Sequence, residues 1–422
     1  MSVNEATAWH MFNKDISTAK FPLKGVDPRA AEAIVNSETW TDAQPMMNLS
    51  SFVTTFTEPE SEAVAHSHFL KNHIDHDMYP QLFAIENRIV RWLHQLWNGP
   101  KDATPYGTAT VGSSEACMLA GLAHKWNWRQ AREKAGKDAT RPNLVTGGNV
   151  QIVWKKFMRY FDVEPRLVPL EPGQYRLTAE HLDNFVDENT IAVVAIAGQT
   201  FTGEDDDFAA IHKWLDEYEK RTGHNIPMHI DGASGGFVNP FVYPDYVWVF
   251  NKDLIFYVNY LGGEMPTATL NFSRNAFQIA YQYYVIIRLG FEGFKEIMTQ
   301  TVANATLLRD LLVASGYFEI MNETQRIPVV ALTLKKNVTK FSEFDVSAKV
   351  RERGWVLSAY TMPPNAESVR SLRVVVRPHL NHNVIKGLAN DIINACKWLD
   401  VHGGNATPPE LHDQLNHSQA KC

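Results

Sequence analysis

The sequence predicts an α/β protein whose mainly parallel sheet is covered by helices. Three short, almost uniformly apolar runs carry this prediction: PNLVTGG (142–148), TIAVVAIAG (190–198) and IPMHID (226–231). Segments with helical periodicity lie between them. Buried strands that alternate with helices are typical of a parallel sheet covered on both faces, and such sheets bind ligands at the carboxyl ends of their strands.

Four helices are predicted around these strands. FAIENRIVRWLHQLWNGP (83–100) places its apolar residues on one face and ends at Asn-Gly-Pro. GSSEACMLAGLAHKWNWRQAREKAGK (112–137) begins at a predicted Ser-Ser cap and becomes charged towards its end. A third helix contains Gln151, Trp154 and Phe157, and a fourth is FAAIHKWLDEYEKRTG (208–223).

The pattern changes near residue 325. RIPVVALTL (326–334) and SLRVVVRP (371–378) are predicted strands, whereas FSEFDVSAKVRERG (341–354) and HNVIKGLANDIINACKWLDVHGG (382–404) are predicted helices. We therefore predict an N-terminal arm (1–45), a large domain (46–324), a small α+β domain (325–402) and a polar tail (403–422).

Composition indicates a cytoplasmic protein without nucleic-acid or membrane partners. The formal charge is −7, whereas phosphate-backbone binding needs clustered cations. Three cysteines in 422 residues cannot build a disulfide framework. No apolar run approaches the ~20 residues that a membrane span needs, and the first residues contain no signal-peptide pattern.

Ser113 and Ser114 precede a helix, where free N–H groups and the positive end of the helix dipole favour an anion. The alternative is a serine that caps the helix, and local sequence alone favours this alternative.

Asp231 ends a buried strand and is followed by Gly232, Ala233, Ser234, Gly235 and Gly236. A buried carboxylate is costly unless it is paired, and the nearby sequence offers no Lys or Arg. A protonated pyridine nitrogen would be a suitable partner, and the small residues would admit a flat ring. Alternatively, Asp231 caps its own turn. An anion site and a carboxylate at the strand ends together describe a pyridoxal phosphate site.

The chain also resembles the glutamate decarboxylase family, group II of the fold-type I pyridoxal phosphate enzymes, from about residue 20 to residue 400. The resemblance is carried in order by NLSSFVTTF, VGSSEACMLAGLA, NVQIVWKKFMRYFDVE, DENTIAVVAIAGQTFTGE, HIDGASGGFVNPF, YLGGEMPTATLNFSR, AYTMPPNA and LRVVVR. It implies the fold-type I fold with a small C-terminal α+β domain. It also implies pyridoxal 5′-phosphate as cofactor and L-glutamate as substrate, with 4-aminobutanoate and carbon dioxide as products.

The resemblance further implies roles for individual residues. Ser113 and Ser114 match the phosphate cradle, and Gln151 matches the residue that lies over the cofactor ring. Thr200, Asp231 and Ala233 match positions that pack against or bond the ring. Ser273 matches a serine that reaches the phosphate of a neighbouring subunit, which implies a homodimer or larger oligomer with shared sites. Substrate carboxylates are assigned to Arg373 and to a pocket of Ser51, Phe52 and Asp75, where Ser51 replaces the family's common threonine.

The chain departs from the family at one place. Trp248 is joined almost directly to NKDLIFYVNYLGG, and a few tens of residues are absent, among them the Schiff-base lysine. Lys252 at the junction could reach the ring only by refolding, and the His124-Lys125 pair is expected on a solvated helix face. An error in deriving the protein from its gene and a genuine variant both explain the gap. We expect activity to fall by many orders of magnitude without the lysine.

The segment HSHFLKNHIDHD holds His66, His68, His73 and His76. We interpret it as a polar surface segment beside the substrate pocket, with a metal site and acid sensing as alternatives. Two further hypotheses accompany glutamate decarboxylation: a catalytically inactive subunit that binds cofactor or dimerises, and another group II amino acid decarboxylase. No calmodulin-binding tail is indicated.

Overall fold

The computed structural model describes residues 20–52, 57–245, 269–322 and 324–405, and the backbone of 256–260 and 263–267. The chain divides into two compact units between Asn48 and Leu49. The first contains helix α1 (Pro28–Glu38), whose N-terminus is capped by the Asp27 side chain. All residues of the candidate site belong to the second unit.

The second unit contains the predicted parallel sheet. Its strands are β1 (Asn143–Gly147), β2 (Glu164–Val168), β3 (Thr190–Ile196) and β4 (Met228–Asp231), in the spatial order β2-β1-β3-β4. All three pairings are parallel. Strand β2 was not predicted, because EPRLV is short and carries charged residues that suit its position at the sheet edge.

Helices cover both faces of this sheet, as predicted. They are α4 (Ser113–Lys134), α5 (Ile152–Tyr160) and α6 (Phe208–Thr222). Helices α2 (Pro59–His68) and α3 (Pro80–Leu96) and the short α7 (Asn239–Val242) pack instead against the long helix α8 (Phe277–Ala314). Val193 packs with α6 in one apolar cluster, whereas its neighbour Val194 packs with α4 and α5 in another. The alternation of side chains along β3 therefore buries both faces.

Two helix starts differ from prediction. The N-cap of helix α4 is Gly112, not a serine. Gly112 has an extended backbone conformation, and no side-chain hydrogen bond caps the helix. Gln151 is not inside α5 but caps it, with its Oε1 accepting from the Val153 N–H at 2.6 Å. Both changes leave the first turn of a helix facing the carboxyl ends of the strands.

The rest of the chain contains a hairpin and an antiparallel sheet. The hairpin is β5 (Phe256–Tyr260) with β6 (Gly263–Thr267). After α8 (Phe277–Ala314) come β7 (Phe318–Ile320), β8 (Val329–Leu334), α9 (Glu343–Arg351), β9 (Ser358–Thr361), β10 (Arg370–Val375) and α10 (His382–His402). The sheet order is β7-β8-β10-β9. The predicted strands and helices of this region are present, whereas β7 and β9 were not predicted.

Several predictions concern residues outside the described ranges. These are the arm before residue 20, the junction from Trp248 to Leu254 with Lys252, and the tail after residue 405. The domain boundaries at residues 46, 325 and 403 stay predictions. Among the described helices, none is both long and apolar enough to cross a membrane.

Candidate active site

Two neighbouring strands bring the first site residues to one edge of the sheet. Ile196 at the end of β3 pairs directly with Asp231 at the end of β4. The Ala197 N–H then donates to the Asp231 carbonyl at 2.9 Å. Thr200 follows three residues later, so Asp231 and Thr200 both lie at the carboxyl end of the sheet, where ligands of such folds bind.

The Asp231 side chain is 7% exposed and makes three hydrogen bonds. Its Oδ2 accepts from the Trp154 indole at 2.9 Å and from the Cys117 thiol at 3.6 Å. Its Oδ1 accepts from the Ala233 N–H at 3.2 Å. Asp231 therefore caps its own turn, as the alternative interpretation held, but no Lys or Arg among the described residues neutralises it.

Two glycines after Asp231 are required by the fold, not only by a ligand. A Cβ on Gly235 would lie 2.8 Å from the Ala197 carbonyl oxygen, and a Cβ on Gly236 would lie 2.6 Å from the Gly232 carbonyl oxygen. Their neighbours on the Cβ side are protein backbone. The approach of a flat ring to this segment stays a prediction. Ala233, in contrast, is exposed at the sheet edge.

The first turn of α4 is open. Ser113 and Ser114 are exposed, and neither their hydroxyls nor their N–H groups bond another described residue. The preference for a serine cap on local grounds was therefore wrong, since Gly112 holds that position. Free N–H groups at the start of a 22-residue helix, with two hydroxyls beside them, suit an anion.

Glu115 connects this turn to the segment that carries Ser273. One carboxylate oxygen accepts from the Val111 N–H at 2.8 Å. The other accepts from the Leu270 and Asn271 N–H groups at 3.0 and 3.2 Å. Ser273 itself is exposed. These contacts of Glu115 thus hold the first turn of α4 and the segment that carries Ser273 together within one chain.

Arg373 lies on β10 and is 6% exposed. Its guanidinium donates to the Thr200 carbonyl at 2.5 Å and to the Ser50 carbonyl. The Phe52 ring centroid lies 5.4 Å away. Its Nε is buried without a hydrogen-bond partner, and no carboxylate among the described residues pairs with it. Burial removes water from the guanidinium and lowers the Arg373 pKa.

The predicted substrate pocket is brought together in part. Arg373 joins Thr200, Phe52 and the backbone beside Ser51. Asp75 lies in the turn before α3, where its carbonyl accepts from Tyr79, and no described hydrogen bond or ion pair connects it to Arg373. Gln151 is exposed and engaged as a cap. Its position over a ring, like the role of Asp75, stays a prediction.

The histidine segment is not simply a polar surface. His73 is buried, and its Nε2 lies 2.7 Å from Glu86 Oε2. Glu86 also pairs with Arg274 at 3.4 Å and accepts from the Ala109 N–H at 2.7 Å. The surface interpretation is therefore wrong for His73, because it contributes to a buried charge cluster. Among the described residues, no three His, Cys, Asp or Glu side chains are grouped as a metal site.

His124 and Lys125 are half-buried, so the expected solvated helix face is also wrong. His124 Nε2 lies 3.4 Å from Nδ1 of His229 on β4. The Lys125 ammonium donates to the Phe161 carbonyl. Of the lysines that the structure describes, none has a hydrogen bond or ion pair to Asp231, Thr200 or Ser113.

Together these residues fit a phosphorylated pyridine cofactor in two respects. The open turn of α4 suits the phosphate, and the unneutralised Asp231 suits a protonated ring nitrogen. The buried Arg373, which no described carboxylate neutralises, suits a carboxylate ligand beside them. A covalent lysine is not supplied by the described residues. The fold and site thus define an α/β enzyme of the pyridoxal phosphate class.

The chain belongs to the pyridoxal-dependent decarboxylase family. The profile described as "Pyridoxal-dependent decarboxylase conserved domain" matches residues 24–251 and 247–335. The two matched stretches meet at the same junction where the sequence departs from the family. Family membership confirms the recognised resemblance and the cofactor class.

Glutamate decarboxylases are among the similar proteins. That of Solanum lycopersicum is 41% identical over 93% of this chain and 84% of its own length. Glutamate decarboxylase beta of Listeria innocua is 36% identical over 90% of this chain and 89% of its own. The Lactobacillus brevis glutamate decarboxylase structure superposes with a TM-score of 0.87 at 32% identity, covering 92% of this chain and 96% of its own. These matches confirm the predicted fold.

Sequence reasoning missed Cys117, Trp154 and Glu115 as site residues. Cys117 follows Ser113 by four residues, and Trp154 follows Gln151 by three, so each lies one turn inside a helix that starts at the site. That spacing was a usable signal. The rotation of each helix towards β4, however, depends on packing that the sequence does not display.

Proposed function

We propose that this chain binds pyridoxal 5′-phosphate and that its site is built to decarboxylate L-glutamate to 4-aminobutanoate and carbon dioxide. The single observation that supports the proposal is the buried Asp231 carboxylate, which has neutral donors but no cation among the described residues. A protonated ring nitrogen would supply the missing positive charge.

The residues have separable roles in this proposal. The first turn of α4 binds the phosphate through the N–H groups and hydroxyls of Ser113 and Ser114. Asp231 keeps the ring nitrogen protonated. When bound, the cofactor supplies an electron sink for the electron pair left behind when the α-carboxyl departs as carbon dioxide. A proton then takes the place of that carboxyl on the α-carbon.

Substrate orientation falls to Arg373 and its surroundings. Its guanidinium is held by the carbonyls of Thr200 and Ser50, and no carboxylate among the described residues neutralises its charge. The Phe52 ring centroid lies 5.4 Å from the guanidinium carbon. Ser51 and Asp75 are assigned to the second carboxylate. Gln151 and Ala233 would contact the cofactor ring.

We extend the proposal to a cytoplasmic homodimer or larger oligomer, in which Ser273 reaches the phosphate of a neighbouring subunit. A non-catalytic, cofactor-binding subunit is the second candidate. It is favoured by the absence of any contact between a described lysine and Asp231, Thr200 or Ser113.

One experiment on the purified full chain tests both candidates. Pyridoxal phosphate is added, excess is removed by dialysis, and carbon dioxide release from carboxyl-labelled glutamate is measured. Saturable cofactor binding that Asp231→Ala weakens, with turnover many orders of magnitude below ordinary enzymatic rates, supports the non-catalytic candidate. Glutamate turnover at an ordinary rate supports the decarboxylase and shows that the account of the lysine is wrong. Absence of cofactor binding overturns both.

Sequencing the transcript across the codons for Trp248 to Leu254 determines the origin of the gap. A transcript that encodes the additional segment identifies an error in deriving the protein. A continuous transcript identifies a genuine variant.

A further inference from the structure

We propose that Trp154 and Cys117 are positioning residues that hold one oxygen of the Asp231 carboxylate so that the other is presented to the cofactor ring. This inference rests on the proposed pairing of Asp231 with the ring nitrogen. Neither Trp154 nor Cys117 was a predicted site residue, and the inference gives both the role of orienting that carboxylate.

The hydrogen bonds of Asp231 can be counted. An ionised carboxylate offers about four lone-pair sites on its two oxygens. Trp154 and Cys117 both donate to Oδ2, whereas the Ala233 N–H alone donates to Oδ1. Both sites of Oδ2 are therefore filled, and the remaining acceptor site is on Oδ1, beside the exposed Ala233.

Trp154 is well suited to fix Oδ2. Its side chain is fully buried and packs edge-on against Phe157 and His229, with ring centroids 6.1 and 4.9 Å away. A buried indole N–H needs an acceptor, and the Asp231 oxygen at 2.9 Å is the one it has. Because the ring cannot rotate within this packing, the carboxylate is held with it.

Cys117 contributes a weaker second donor from α4. Burial, reinforced by the charge of Asp231, raises the pKa of the Cys117 thiol, so the sulfur keeps its proton at neutral pH. A thiol that stays protonated donates to the carboxylate, whereas a thiolate would repel it.

The two described imidazoles near Trp154 add no competing cation. His229 packs against Trp154 and lies beside His124. Burial lowers the pKa of His229 to about 4 and that of His124 to about 3, so both imidazoles are neutral near pH 7. Neither imidazole therefore competes with the ring nitrogen for Asp231.

The test compares two ligands that differ only at the ring nitrogen: pyridoxal phosphate and its carbocyclic analogue with CH in place of that nitrogen. Dissociation constants are measured for the native chain, Asp231→Ala, Trp154→Phe and Trp128→Phe. Trp128 is the matched control, because its indole donates to the Glu188 carbonyl and does not contact Asp231.

We expect Trp154→Phe to weaken binding of pyridoxal phosphate about tenfold and to leave binding of the analogue unchanged, since only the former uses Asp231. Trp128→Phe should change neither. In the Asp231→Ala background, Trp154→Phe should have no further effect. Equal weakening of both ligands, or no weakening of either, overturns the proposal.

Cys117→Ala and Cys117→Ser test the hold on the same carboxylate from α4, independently of whether Trp154→Phe folds. We expect about a threefold loss for pyridoxal phosphate with alanine and recovery with serine, which restores a donor. Equal affinities for serine and alanine variants contradict the inference. If the native chain does not prefer pyridoxal phosphate over the analogue, the proposed role of Asp231 fails as well. Native preference without a Trp154 or Cys117 effect rejects only the positioning roles.

Discussion

The Nε2 atom of His73 lies 2.7 Å from Oε2 of Glu86, and both side chains are buried. Glu86 also binds Arg274 and the Ala109 N–H, so it connects the histidine segment to the loop before α4. Removal of one partner from a buried ion pair costs about 3–5 kcal/mol. We therefore expect Glu86→Ala to lower the free energy of unfolding by that amount, measured by urea denaturation.

The exposed pair of Arg221 and Asp183 provides the control, because Asp183→Ala should cost under about 1 kcal/mol. The pH dependence gives a second check. Burial alone would raise the pKa of Glu86, but the hydrogen bond and charge of His73, the Ala109 N–H and the charge of Arg274 together lower it. The stability contributed by Glu86 is therefore present at neutral pH and is lost as the pH falls through this lowered pKa. A similar cost for both variants would contradict the prediction.

The open turn of α4 predicts selective loss of phosphate affinity. We expect Ser113→Ala and Ser114→Ala each to weaken pyridoxal phosphate binding about tenfold, because each removes a hydroxyl donor to a charged group. Pyridoxal without the phosphate should bind these variants and the native chain equally, as judged by equilibrium dialysis. Ser67→Ala, at the end of α2, is the control and should change neither constant. Equal losses for both ligands would refute the cradle.

Arg373 is predicted to bind a substrate carboxylate. We expect Arg373→Lys to weaken binding of glutarate, a five-carbon dicarboxylate, to the cofactor-loaded chain by about 10–100-fold, because a single ammonium cannot keep the contacts with the Thr200 and Ser50 carbonyls and also bind a carboxylate. Calorimetric titration measures the change. Arg370→Lys, at the exposed start of the same strand, should bind glutarate like the native chain. Unchanged affinity in Arg373→Lys would remove this residue from the substrate pocket.

Asp206 is expected to make the free energy of unfolding depend on pH with the opposite sign to Glu86. Burial raises the pKa of Asp206 to about 7, whereas an unfolded aspartate titrates at about 3.9. Between these values the folded state keeps a proton that the unfolded state has lost, so stability falls as the pH rises from about 4 to about 7. At about 1.4 kcal/mol per pKa unit, this change in the free energy of unfolding amounts to a few kcal/mol in total. We expect Asp206→Asn to remove it, as measured by thermal or urea unfolding at several pH values. Asp183→Asn should keep the native slope.

The crowding around Gly235 predicts that a side chain at this position will lower the stability of the protein. A Cβ there would lie 2.8 Å from the Ala197 carbonyl oxygen, whereas a Cβ on Gly387 in α10 would meet no atom within 4 Å. We expect Gly235→Ala to destabilise the protein by about 1–3 kcal/mol. Gly387→Ala should stabilise it by up to about 1 kcal/mol, because alanine favours the helix. Melting temperatures of the two variants that shift in the same direction would reject this account.

The amino-acid sequence by itself determined the parallel sheet, the helices on both faces and the position of Asp231 at a strand end. It could do so because hydrophobic periodicity is local: the runs at 190–198 and 226–231 are apolar throughout, and parallel strands end at the same edge. The motifs were also sufficient for the family. Short or charged strands such as β2 and β9 were missed, because their burial depends on neighbouring strands.

Only the tertiary structure decided which side chains meet Asp231, and which charges are buried. Trp154 and Cys117 come from two helices more than 30 residues apart, and their contact with one carboxylate oxygen depends on how each helix rotates on the sheet. The same holds for His73. The polar residues around it predicted a surface position, whereas in the structure it is buried against Glu86. Such contacts arise from packing between distant segments, which the local pattern of polar and apolar residues does not encode.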